Sequence, residues 1–295
     1  MANPVHASVG TASRYDGSAT SITVSNPSGL TAGDEMCLFV TMYETGSSKS
    51  IQTPAGWTGV YNDTVDNVSR ACFVKTATAG DVSAGSVTIS STGGSDYMSA
   101  SIHRITGAVP HTISIFSEVD DSTFTPSATL TTNLTPVANE SLVLMYFHGG
   151  DNALSATPTA SGYTSTPSIT FTEACDIGIK VGGTDGIAHA VAYGDYDGTA
   201  TITSRGVTFS ETVTRGACGG IIVIYSTPQN ASGTAALLQV TPTFPAPTSG
   251  GGASGTAALL TTTPSVQVPT SEVTTPNESN APKTTAQNII NTSKS

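Results

Sequence analysis

From Thr20 to Tyr225 the chain alternates short Thr- and Val-rich stretches with clusters of Gly, Pro, Asn and Asp, and no window carries apolar residues at helical spacing. That punctuation constrains the fold more than any other feature. It predicts an all-β protein built as sandwich or jelly-roll units. Charged residues make up only 11% of the chain, so the usual helix builders Glu, Lys and Arg are scarce. Predicted strands in the first half are Thr20–Val24, Glu35–Tyr43, Trp57–Tyr61, Ala71–Thr76, Ser86–Ser90 and Ala100–Ile105. In the second they are Ser127–Thr131, Leu142–Phe147, Ser168–Phe171, Asp176–Val181, Ala188–Tyr193, Thr199–Thr203 and Gly219–Tyr225. Thr20–Val24 and Ser86–Ser90 alternate apolar and polar residues, as half-exposed strands do. CLFVTMY and LVLMYF are apolar on both faces and belong at the centre of the fold.

The halves echo each other in order. Asp34–Val40 is answered by Asn139–Met145, and Thr53–Thr58 (TPAGWT) by Thr159–Thr164 (TASGYT). Ala71-Cys72 is answered by Ala174-Cys175, Ser86–Ser90 by Ala200–Ser204, and Ser99–Gly107 by Cys218–Ser226. Five blocks in one order predict a duplicated β-unit. The expected organisation is a first sandwich over 1–110, a second over 111–227, as two units or one joint domain, and an arm over 228–295.

The arm differs in kind. Ala231–Thr248 and Ala253–Thr270 are copies offset by 22 residues, identical at 12 of 18 positions and joined by Ser249-Gly250-Gly251-Gly252. Pro242, Pro245, Pro247, Pro264 and Pro269 exclude a helix or central strand there. Such a segment buries too little apolar surface to offset its own ordering entropy. Its apolar residues Leu237, Leu238, Phe244, Leu259, Leu260 and Val266 are therefore expected to dock on a partner.

The net charge is −11, and the four charges of 228–295 (Glu272, Glu278, Lys283, Lys294) cancel, so the acidity lies in 1–227. An acidic body is expected to bind neither nucleic acid nor anionic membrane. No apolar run reaches the ~18 residues of a membrane span, and MANPVHASVG lacks the basic and apolar regions of a signal peptide. Cys37, Cys72, Cys175 and Cys218 are widely spaced, and buried free thiols are the expected state.

Candidate chemistry is sparse. His6, His103, His111, His148 and His189 show no metal-ligand spacing and are expected to be structural or surface residues. No GxSxG or GxGxxG motif occurs. Asp195-Tyr196-Asp197-Gly198 resembles a fragment of a calcium loop without its closing ligands, and a solvated turn is the expectation. Glu118–Asp121 is expected to be a solvated linker. Trp57 could stack on a sugar, with Tyr61 and Tyr163 beside it, or could anchor a strand after its Pro-Ala-Gly turn. Tyr163 at the echoed position favours the anchor. No catalytic residue, cofactor or metal is expected.

Ala32-Gly33-Asp34, Pro54-Ala55-Gly56-Trp57-Thr58, Phe73-Val74-Lys75-Thr76-Ala77-Thr78 and Arg104-Ile105-Thr106-Gly107 occur in one order. Over about residues 8–227 this series resembles a β-rich structural family of tailed bacteriophages and prophage regions, whose members carry AGD, PAGWT and KxATA blocks followed by a degenerate second copy. The repeated arm is not part of that pattern. The resemblance implies a non-enzymatic virion protein, assembled in the bacterial cytoplasm. It implies a surface decoration or appendage that contacts capsid or tail subunits and forms a homo-oligomer, with a trimer among the options. The alternatives are a tail fibre or adhesin recognising host glycan, and a glycan hydrolase carried on the particle, which needs two carboxylates in a cleft.

Overall fold

The computed structural model describes residues 3–15, 19–44, 49–94, 97–107, 111–121, 127–135, 141–180 and 183–226, with backbone alone for 15, 111–121, 127–133, 216–218 and 225–226. The chain divides into units 1–234 and 235–295. The arm residues from Leu237 to Val266 expected to dock lie outside the described residues.

The protein is all-β. Its strands are β1 (Val5–Tyr15), β2 (Ser21–Ser25), β3 (Glu35–Tyr43), β4 (Thr58–Val65), β5 (Val68–Thr76), β6 (Ser86–Ser90), β7 (Tyr97–Thr106), β8 (His111–Asp121), β9 (Ser127–Leu134), β10 (Ser141–Asp151), β11 (Ala160–Thr166), β12 (Thr172–Asp176), β13 (Ile179–Lys180), β14 (Gly186–Tyr196), β15 (Ile202–Phe209) and β16 (Arg215–Ser226). One sheet runs β1-β7-β3-β5-β4 and another β12-β14-β10-β16-β8, with β13 paired to β14. Smaller sheets are β2-β6 and β11-β15-β9. Every pairing is antiparallel.

The two large sheets have one topology. Replacing β1, β7, β3, β5 and β4 by β8, β16, β10, β14 and β12 converts the first into the second, and β2-β6 corresponds to β9-β15. Three of the five echoed blocks fall on corresponding strands; in a fourth, Thr53–Trp57 precede β4 whereas Thr159–Thr164 run into β11. The fifth does not correspond either: Ala71-Cys72 lies on β5, whose counterpart is β14, whereas Ala174-Cys175 lies on β12, the counterpart of β4. The Ala-Cys match is a coincidence of composition. Strand β11 also exceeds its first-half equivalent, a single bridge between Ile51 and Ser91.

These sheets stack in four layers. On β3, Met36, Leu38, Val40 and Met42 point outward and pack with Ile22, Val24 and Ile89 of the β2-β6 layer. Alternate residues Cys37 and Phe39 point inward against Leu142, Leu144 and Tyr146 of β10. Strand β10 then turns Met145 and Phe147 outward onto Val207 and Phe209 of β15. Val143 joins Leu134 and Ile202 in a neighbouring outward cluster. Both central strands are buried on both faces, which explains their continuous apolar runs.

Strands β1 and β8, the first of each half, escape the sequence pattern. In β1 (VHASVGTASRY) small residues replace the alternation, for a steric reason: a Cβ on Gly10 would lie 2.0 Å from the Ser25 carbonyl oxygen. Glu118–Asp121 belong to β8, paired with β16, and are not a linker. Ser168–Phe171 is not a strand; β11 and β12 flank it. Among the described residues one helix, α1 (Ala79–Ala84), interrupts the β-structure. It is nucleated by a capping box in which Thr78 and Asp81 bond each other's backbone N–H.

The blocks that carry the resemblance fix the first half. Asp34 accepts from Arg104 Nε at 2.7 Å, tying the AGD turn to the Arg-Ile-Thr-Gly block. Lys75 pairs with Asp81 at 2.5 Å. Gly56 turns the chain at φ 78°, and Trp57 enters the outer core, 7% exposed.

Candidate functional site: a histidine string between the sheets

Four of the five histidines meet in the interface between the large sheets. Alternation places them there. On β7, Ser101 and His103 are two residues apart and share the inward face. His148 on β10 and His189 on β14 are directly paired across their strands. His6 comes from edge strand β1.

Hydroxyl groups connect them in single file. His6 Nε2 lies 3.0 Å from His103 Nδ1. His103 Nε2 and His189 Nε2 each lie 2.9 Å from Ser101 Oγ. His189 Nδ1 is 3.0 Å from Thr41 Oγ1, which also bonds His148 Nδ1. His148 Nε2 is 3.3 Å from Tyr61 Oη. Thr41, Tyr61 and Ser101 belong to the first sheet, and His148 and His189 to the second, so each of these bonds to the two rings crosses between sheets. The Ser99 hydroxyl adds another crossing, donating to the Ile177 carbonyl at 2.9 Å. Apolar packing surrounds the string, and the His6 ring stacks on Tyr193 at 4.2 Å.

Burial keeps the imidazoles neutral. Desolvation lowers His6 to about 4 and His189 to about 3. It holds His103 and His148 well below the ordinary value of 6.5, helped by neighbouring imidazoles and, at His148, by the Arg70 guanidinium. Neutral rings suit the string, because each offers one N–H and one bare nitrogen. Thr41 has one proton to give, so His148 and His189 must present opposite Nδ1 states to it. A consistent direction runs from Tyr61 through His148, Thr41, His189, Ser101 and His103 to His6, satisfying every link. The Cys175 thiol lies 4.0 Å from His103 Nε2, and burial pushes it up to about 12, which keeps it protonated. Cys37, Cys72 and Cys175 are free and buried; the Cys218 side chain lies outside the described residues.

The structure separates the three aromatics considered for sugar stacking. Trp57 is packed into the core beneath β2-β6. Tyr61 stacks on Tyr146 between the large sheets. Tyr163 packs under the β11-β15-β9 layer beside Phe147. They lie in three different layers and form no common platform. Asp195 and Tyr196 end β14, and Asp197-Gly198 follows. Hollows of about 290 and 430 Å³ flank this turn, lined also by Asn3, Ser141, Ser168 and Thr172. Among the described residues no group of three metal-binding side chains gathers. His111 lies on β8, where backbone alone is described.

Sequence reasoning missed the string because its members come from strands far apart in the chain. Its faint signal was polar residues in phase with apolar ones, such as Ser99, Ser101 and His103 in step with Ile105. The chain matches no protein-family model, no curated protein and no solved structure.

Proposed function

We propose that this chain is a non-enzymatic structural component of a tailed-bacteriophage particle, displayed as a decoration or appendage and attached by its arm. The observation that carries the reading is the ordered motif series AGD, PAGWT, KTAT and RITG, which in this fold occupies positions that set architecture. Asp34 and Arg104 close one turn, Trp57 plugs the outer core, and Lys75 steadies the α1 cap. Likeness in these blocks is therefore likeness in how a β-body is built.

Two further features support it. The body buries its own apolar surface: among the described residues, the large apolar side chains left exposed are Val5 and Val82. Acidic bodies keep neighbouring copies soluble, which suits display at high copy number. The arm carries two copies of one apolar knot 22 residues apart, which suits repeated weak attachment to particle subunits. Partners of this kind are other virion proteins and further copies of the chain.

Truncation after Thr227 tests the reading. The shortened protein is expected to remain folded and soluble and to be absent from purified particles. Normal incorporation of the truncated chain would contradict the proposal.

A further inference from the structure

We infer that the histidine string is an acid-sensitive latch, whose protonation parts the two large sheets while each sheet keeps its own outer core. The geometry supplies the latch. Each large sheet is covered on its outer face by its own small layer, with separate clusters around Leu38 and Phe73 on one side and Phe147 and Phe209 on the other. The string lies only in the shared middle layer, and its bonds at Thr41, Ser101 and Tyr61 join one sheet to the other.

Among the described residues, the carboxylates near the string act on its neighbouring thiols, Glu35 on Cys37 and Glu173 and Asp176 on Cys175. From β5, Arg70 presents a positive guanidinium, which is paired at 3.2 Å to Asp63 of β4. Tyr61 faces it from β4, Cys37 from β3, Cys72 from β5, Tyr146 from β10 and Tyr193 from β14. Strand β12 brings Cys175, with Glu173 and Asp176 acting on that thiol. Among the described residues no carboxylate hydrogen-bonds to any of the four rings. One added proton can be accommodated, since a doubly protonated His189 would donate to both Thr41 and Ser101. A second would set two donors against each other along the file.

The direction of the pH effect follows. Closed, the rings are neutral; open to water, they take protons near the ordinary 6.5. The open form binds more protons below that value, so closure is favoured above pH 6.5 and loses ground as pH falls toward the closed-state values of about 4 and about 3. Asp176, raised by burial to about 6, works the other way and tempers the response. Three fully buried rings make the open population rise as much as ~1000-fold per pH unit.

The thiols report opening directly, because Cys37, Cys72 and Cys175 lie in the same middle layer. Trp57, the only tryptophan, sits in an outer core and reports that core separately. The full chain is treated with 4,4′-dithiodipyridine, which labels thiols in acid, from about pH 7.5 to about pH 4.5. Labelled peptides are identified by mass, so Cys218 is scored apart, and Trp57 fluorescence is followed in parallel. The expected result is protection at neutral pH, steep labelling of the three thiols below about pH 6.5, and unchanged Trp57 emission. His189→Gln, which keeps a donor and an acceptor but cannot titrate, is expected to reduce the steepness to ~100-fold per pH unit. Thiols still protected at the acid end, labelling only in step with a Trp57 change, or full steepness in His189→Gln would each overturn the latch. If His189→Gln does not fold, the unmodified chain still tests the latch, because either of the first two results in it overturns the proposal.

Discussion

Thr41→Val is expected to destabilise the body by about 2–6 kcal/mol, although valine nearly matches threonine in shape. Thr41 Oγ1 serves two imidazoles at once, donating to one Nδ1 and accepting from the other. Valine leaves one ring with a bare nitrogen and the other with an N–H, neither in reach of water, since both rings and position 41 are fully buried. Each unsatisfied buried group costs about 1–3 kcal/mol, hence the sum. Thr41→Ser keeps the hydroxyl and loses one buried methyl, so its cost is about 1 kcal/mol. Urea unfolding of the three proteins at neutral pH reads the order directly. A Thr41→Val protein as stable as its parent would mean that the hydroxyl does not bridge the rings.

Gly220→Ala is the second large effect, and its cause is steric. Gly220 lies on β16 beside Tyr146 of β10. A Cβ there would fall 1.7 Å from the Tyr146 hydroxyl oxygen and 1.8 Å from its Cζ. The tyrosine has no free path: Tyr61 stacks on it at 5.5 Å, Phe39 packs at 5.1 Å and His148 at 5.0 Å. The cost lies at the upper end of the ~1–3 kcal/mol typical of overpacked cores. Combining it with Tyr146→Leu removes the ring that clashes. The pair is then expected to be less unstable than the sum of the single changes by ~0.5–3 kcal/mol. Additive costs would place the clash elsewhere.

What the sequence reveals about this fold depends on where the physical signal is local. Glu35–Tyr43 and Ser86–Ser90 are legible to the residue, the first because a strand buried on both faces reads as one apolar run, the second because a half-buried strand alternates. Free buried thiols at Cys37, Cys72 and Cys175 follow the expectation drawn from their wide spacing. Strand β1 is not legible, because at its centre the close approach of Gly10 to Ser25 leaves no room for a side chain and breaks the alternation. The α1 cap was present in Thr78-Ala79-Gly80-Asp81, but a six-residue helix with no buried side chain offers no periodicity to find. The string is least legible of all. His6, His103, His148 and His189 lie on four strands, and only the stacking of two sheets brings them into one file.

Nitrogen-resolved NMR of the imidazoles at about pH 7.5, above the ordinary histidine value near which opening sets in, tests the neutral string most directly. His103, His148 and His189 should each show one protonated and one bare nitrogen, with His148 and His189 in opposite tautomers across Thr41. An imidazolium at any of the three, or the same tautomer at both His148 and His189, would contradict a single neutral file of hydrogen bonds joining the sheets.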